Sequence, residues 1–111
     1  MKSDEIKNLF SQFEDAAYDL VGVECWSARE LQNLLGYSKW ENFEKVIQKA
    51  KDACLNAGEL IENHFPDIRK MVEIGSSTER PVNDMALTRY ACYVIAQNGD
   101  SRGLLPHALL L

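Results

Sequence analysis

Five cations fall between positions 29 and 51: Arg29, Lys39, Lys45, Lys49 and Lys51. Three glutamates lie among them, so residues 26–51 carry a balance of +2, whereas residues 1–25 stand at −4 and the remainder at −3. Cations gathered in one stretch of an otherwise acidic chain can meet phosphate oxygens, and Tyr37 beside them can stack on a base or wedge between bases. The same charges can equally serve as a solvated helix face, because Glu41 and Lys45 have the four-residue spacing that stabilises a helix by about 0.2–0.5 kcal/mol.

Other groups with chemical potential are sparser. Arg69, Lys70 and Arg80 could reach a nucleic-acid groove from a loop or hairpin, with Arg80 the most interesting of the three. However, Asp67, Glu73 and Glu79 are interleaved with them and offer charge compensation. Glu62, His64 and Asp67 are the right elements for a metal, but no second His or Cys stands at ligand spacing, so no metal site is expected and His64 reads as a turn residue bonded to backbone. Cys25, Cys54 and Cys92 are odd in number and widely spaced, which suits reduced core thiols better than disulfides or zinc. No nucleophile has a base at workable spacing and the glycines are scattered, so neither catalysis nor a bound cofactor is expected.

The elements that must position these groups follow from periodicity. Residues 4–20 place Ile6, Leu9, Phe10, Phe13, Ala17 and Leu20 at helical spacing, and residues 21–26 alternate as a short strand. Ser27-x-x-Glu30 and Ser38-x-x-Glu41 are two capping-box patterns, each expected to begin a helix with reciprocal side-chain bonds. The first helix buries Leu31, Leu34 and Leu35 and closes at Gly36. The second, about 39–57, carries the stripe Trp40, Phe43, Ile47, Ala50 and Cys54 and stops at Gly58. Trp26 and Trp40 are expected in the core. Residues 59–67 suggest a turn or short helix broken before Pro66. Ile68 to Ile74 and a brief return strand at Pro81-Val82 suggest a hairpin. Asn83 or Asp84 would cap a last buried helix over about 85–98. The expected fold is α+β: about four helices, including a helix-turn-helix-like pair, against an antiparallel sheet of two or three strands.

The chain has 111 residues with 46% hydrophobic and 26% charged, within the range of one soluble domain with a real core. The net charge of −5 argues against coating nucleic acid by bulk attraction. With no basic-then-apolar leader and no apolar run of about 20 residues, a cytoplasmic protein off the membrane is expected.

The segments "ARELQNLLGYSKWENF" and "RYACYVIAQNGD", rich in aromatics, are not explained by helix patterning alone. Over about residues 23–100 the sequence resembles the bacterial DNA damage-inducible protein D (DinD) family. More weakly, its first half is similar to the BRO-N domains of phage antirepressors. The resemblance implies an SOS-linked, non-enzymatic regulator of genome maintenance that binds DNA, or a RecA-type recombinase filament whose strand exchange it restrains, or both. On that reading the face to test is Arg29, Tyr37, Lys39, Lys45 and Lys49, with Arg80 from the hairpin. Family members continue beyond Asp100 into a polar helical half, whereas here "SRGLLPHALLL" follows, as in a truncated or frameshifted copy. Residues 1–100 are thus expected to form the domain and 101–111 an atypical tail. A second reading is a protein-interaction or oligomerisation module, the remnant of a longer family member, self-associating through Leu104, Leu105, Leu109, Leu110 and Leu111 or through the acidic first helix.

Overall fold

The long apolar stripe after Trp40 and the almost wholly apolar run after Arg89 make the two helices that anchor the interior. In the computed structural model, which describes residues 3–75 and 77–99, these are α3 (Trp40–Asn56) and α5 (Arg89–Asn98). They pack on one another, burying Phe43, Ile47, Ala50 and Cys54 from α3 and Ala91, Cys92 and Ile95 from α5. The remaining elements are α1 (Ser3–Asp15), β1 (Tyr18–Leu20), β2 (Val23–Ser27), α2 (Ala28–Leu34), the single turn α4 (Ile61–His64), β3 (Asp67–Glu73) and β4 (Glu79–Leu87). The four strands form one antiparallel sheet in the order β1-β2-β4-β3. The α+β class read from the sequence is the class observed.

One hydrophobic cluster joins helices and sheet. Trp26, fully buried at the end of β2, stacks on Phe13 of α1 with centroids 4.5 Å apart and rings 6° from parallel, and its indole N–H donates to the Phe13 carbonyl at 2.7 Å. That bond satisfies the polar atom of a side chain otherwise chosen for its apolar area. Leu31 brings α2 into the same cluster, and Leu87 does so for β4. The side chain of Ile6 lies outside the described residues.

Both glycine stops behave as expected. Gly36 takes φ +80° after α2, with its N–H on the Asn33 carbonyl and the Tyr37 N–H on the Gln32 carbonyl, and Gly58 closes α3 in the same way at φ +83°. Paired bonds of this kind around a left-handed residue satisfy carbonyls that the helix would otherwise leave open.

Several expectations need correction. The first helix stops at Asp15, not Leu20, because Tyr18–Leu20 pairs with Val23–Cys25 as a hairpin around Val21 and Gly22. Ala17 and Leu20 kept helical spacing by coincidence, and Leu20 and Val23 are partly exposed. The return strand is not brief: β4 runs nine residues to Leu87, paired along its length with β3 and at its end with β2. Asn83 and Asp84 therefore lie within a strand, and the last helix begins at Arg89, capped by Thr88, whose hydroxyl accepts from the Ala91 N–H at 3.2 Å. Ser38 does not cap α3. The helix starts one residue later than the pattern implied, Lys39 occupies the cap position, and no side-chain bond is made there. The sheet has four strands rather than two or three. The leucine-rich stretch 101–111, and with it the proposed face through Leu104, Leu105, Leu109, Leu110 and Leu111, lies outside the described residues.

Candidate nucleic-acid interface

Ser27 ends β2 and begins α2, and its hydroxyl oxygen accepts from the Glu30 N–H at 3.3 Å, as a helix-initiating serine should. Glu30 does not return the favour. Its carboxylate instead meets the Lys70 ammonium of β3 at 3.4 Å. The second cap comes from 55 residues away: Asp84 of β4, only 2% exposed, accepts from the Arg29 N–H at 3.0 Å through Oδ1 and from the Ser27 hydroxyl at 2.5 Å through Oδ2. Asp84 Oδ1 also accepts from the Met85 N–H at 2.8 Å. A buried carboxylate is tolerable here because three donors and the positive end of the α2 dipole all face it. The helix pair is thereby fixed to the sheet by a polar node inside the structure.

Arg29 leaves that node with its guanidinium carbon over the Trp40 ring, 3.8 Å from the centroid, and its Nε donates to the Asn83 carbonyl at 3.0 Å. It therefore links the first turn of α2, the first residue of α3 and β4. This contact accounts for the half-buried state of Trp40, which packs at the margin of the core rather than within it. Tyr37 is also half-buried. Its ring meets Phe43 at 5.1 Å, and a Cβ built on Gly99 would come within 2.9 Å of its hydroxyl, so the hydroxyl lies against the end of α5 and the ring is only partly open to solvent.

The remaining cations divide into separate groups. Lys39 is exposed at the cap of α3. Lys45 and Lys49 are exposed four residues apart, so they share the outward side of α3, with Glu41 and Asp52 on the same side. Lys39 and Lys49 are separated by about 15 Å of helix rise. Arg80 is exposed on β4 opposite Val72, in the part of the β3–β4 hairpin that extends beyond the body. The structure thus joins Arg29 to Trp40, sets Lys45 beside Lys49, and keeps Arg80 about 13 Å along the strand from Asp84.

Arg89 was not singled out from the sequence, yet among the described residues it is the most heavily engaged charge. Its Nη1 and Nη2 reach both oxygens of Glu14 at 2.6 and 3.0 Å, its Nε and Nη2 reach Glu24 at 3.1 Å each, and its guanidinium lies 4.9 Å from the Trp26 ring centre. The hydrogen bond from Arg89 holds the Glu14 carboxyl below its usual range, and the two carboxylates raise the guanidinium's own affinity for its proton. In sequence it was only an arginine inside the expected last helix, with no nearby acid to mark it.

His64 bonds a side chain rather than backbone: its Nδ1 lies 2.7 Å from the Thr88 hydroxyl, its Nε2 lies 3.5 Å from Glu59, and its ring tilts on Tyr90. Among the described residues no three His, Cys, Asp or Glu side chains converge as they would on a metal ion. The three cysteines are free and buried, and desolvation pushes each thiol upward, away from the thiolate a nucleophile needs. No helix among the described residues is long and apolar enough to cross a membrane.

Comparison with known proteins bears on this arrangement. The chain is similar to the DNA damage-inducible protein D of Escherichia coli (strain K12), with 52% identity over 79 residues, covering 71% of this chain and 29% of that relative. It therefore spans less than a third of the relative's length. No solved structure gives a significant match. The model of the BRO family N-terminal domain matches residues 18–104, from β1 through the hairpin to α5, and the chain belongs to that family.

Proposed function

We propose that this domain is a non-enzymatic, DNA-contacting module of a damage-response regulator, using the outward side of α3 and the projecting β3–β4 hairpin. The observation that carries the reading is the exposure of Lys45 and Lys49 on one side of a helix whose start is pinned by Arg29, Trp40 and the Ser27–Asp84 node. A recognition surface needs that rigidity, since loosely held cations lose side-chain freedom on every phosphate contact. Exposed Asn42 and Gln48 on α3 supply groups able to bond base edges, and Arg80 supplies a further cation on the hairpin. The relative's name ties it to DNA damage, which favours a nucleic acid over other polyanions. Arg29 and Tyr37 act in this proposal as supports of the surface.

The test is a titration of duplex and single-stranded DNA at several salt concentrations with the parent and a Lys45→Glu, Lys49→Glu variant. Each lost phosphate contact lowers the log–log salt slope by about 0.7–0.9, so a drop of about 1.4–1.8 is expected for the two lysines. Equal binding and equal slope would remove the α3 surface from the proposal. Binding to a RecA-type filament that survives both salt and the double substitution would favour the filament over DNA as the partner.

A further inference from the structure

β3 lies at the rim of the sheet, with no strand beyond it among the described residues. The Ile74 N–H donates to the Thr78 carbonyl and the Ala86 N–H to the Pro66 carbonyl, each at 3.0 Å. Antiparallel bonding alternates, so Ile68, Lys70 and Val72 also bond β4, whereas Asp67, Arg69, Met71 and Glu73 turn their N–H and C=O groups to the open rim. Pro81, which has no N–H, stands opposite Met71, in one of the pairs that needs none. An unpaired edge of this kind is a template for another strand. Apolar area gathers there too, with Met71 53% and Ile74 54% exposed. Arg69 and Glu73 are exposed, make no ion pair among the described residues, and stand about 13 Å apart along the strand, too far to pair with each other. Glu73 is moreover set opposite Glu79 of β4, a like-charge pair that costs stability.

We infer that β3 pairs edge to edge with β3 of a second copy, antiparallel about a two-fold axis at Met71, so that two sheets become one. Residues that face the rim must oppose residues that face the rim, so the axis passes through a residue, and the side chains select which one. An axis at Asp67, Arg69, Lys70 or Glu73 opposes like charges, and one at Val72 pairs none. An axis at Ile68 does set Asp67 against Arg69, but it runs off the start of the strand at Pro66 and leaves Met71 and Ile74 uncovered. At Met71, Arg69 meets Glu73 twice, Ile68 meets Ile74 twice, and Met71 meets its own copy. Each Glu73 thereby gains a cation beside the Glu79 it already faces. Of the remaining charges on β3, Asp67 falls opposite Gly75, and Lys70 falls opposite Val72 and keeps its contact with Glu30 at 3.4 Å. A second copy of this chain is the partner whose charges match, because the strand is complementary to itself in one register.

The test is sedimentation of the full 111-residue chain at concentrations up to about 1 mM, since one short strand pair buries less than a standard interface and binds weakly. The parent should form dimers and nothing larger, because a two-fold contact closes on itself. Arg69→Glu and Glu73→Arg, both at exposed positions, should each weaken the dimer about tenfold by setting two like-charge pairs across the axis, without lowering Tm. Mixed one to one, the two variants should form a heterodimer, since every carboxylate of the first then faces a guanidinium of the second. A chain carrying both substitutions should recover the homodimer. A parent that stays monomeric leaves the edge to a strand of other sequence and overturns the inference, as would association unchanged in both single variants or no complex in their mixture. None of these readouts involves DNA, so a failure here is distinct from a failure of the α3 surface.

Discussion

Replacing Asp84 by alanine removes the acceptor for three donors at once: the Ser27 hydroxyl at 2.5 Å and the Arg29 and Met85 amides at 3.0 and 2.8 Å. Hydrogen bonds to a charged partner contribute about 1.5–3 kcal/mol each when isolated, and a lost helix cap costs about 1 kcal/mol. Those figures do not add, because Ser27 keeps its own bond to the Glu30 amide and Arg29 its contacts with Trp40 and Asn83. A net loss of about 3 kcal/mol is expected for Asp84→Ala. Asp84→Asn should cost about half as much, since the amide oxygen still serves one side of the node. Urea unfolding followed by circular dichroism measures both, and an unchanged m-value would show that the loss belongs to the folded state. A double-mutant cycle with Ser27→Ala isolates the hydroxyl–carboxylate pair, for which a coupling of about 1.5 kcal/mol is expected. A cost below about 1 kcal/mol, or a coupling of zero, would refute the claim that this buried node fixes the helix pair to the sheet.

Two further outcomes follow from other sites. Arg89 holds the Glu14 carboxyl below its ordinary 4.5, so the pair adds stability that is complete above that value and is lost as pH falls through the lowered folded one. Arg89→Met should flatten the stability profile below about pH 4.5, as measured by urea midpoints at several pH values, and high salt should shrink the parent's slope because both side chains are about one-third exposed. Gly36→Ala meets nothing within 4 Å, so its cost is the left-handed backbone alone, about 1–2 kcal/mol in the same unfolding assay.

What sequence could reveal divides by range. The α3 stripe, the apolar α5 run, the Ser27 cap and the glycine stops depend on neighbours within about five positions, and all are present. The misread elements depend on distant partners. Asp84 resembles a helix cap in isolation, and it does cap a helix, but the amide it accepts from, that of Arg29, lies 55 positions earlier. β4 contains Pro81, Asn83 and Asp84, poor strand formers overridden by pairing along the whole of β3. Leu20 fits the first helix by spacing, yet the Val21 turn diverts the chain, and a valine there does not advertise a turn. At the candidate surface the lysines of α3 were readable as exposed. The inward packing of Tyr37 and the stacking of Arg29 on Trp40 were not, because both depend on how α2, α5 and β4 meet.

Arg89 stands 75 positions from Glu14 and 65 from Glu24. During synthesis, therefore, the first helix and the first hairpin leave the ribosome with two unpaired carboxylates and an indole face uncovered, and remain so until α5 emerges. Assembly that waits on so distant an element is slow and favours chaperone capture of the growing chain.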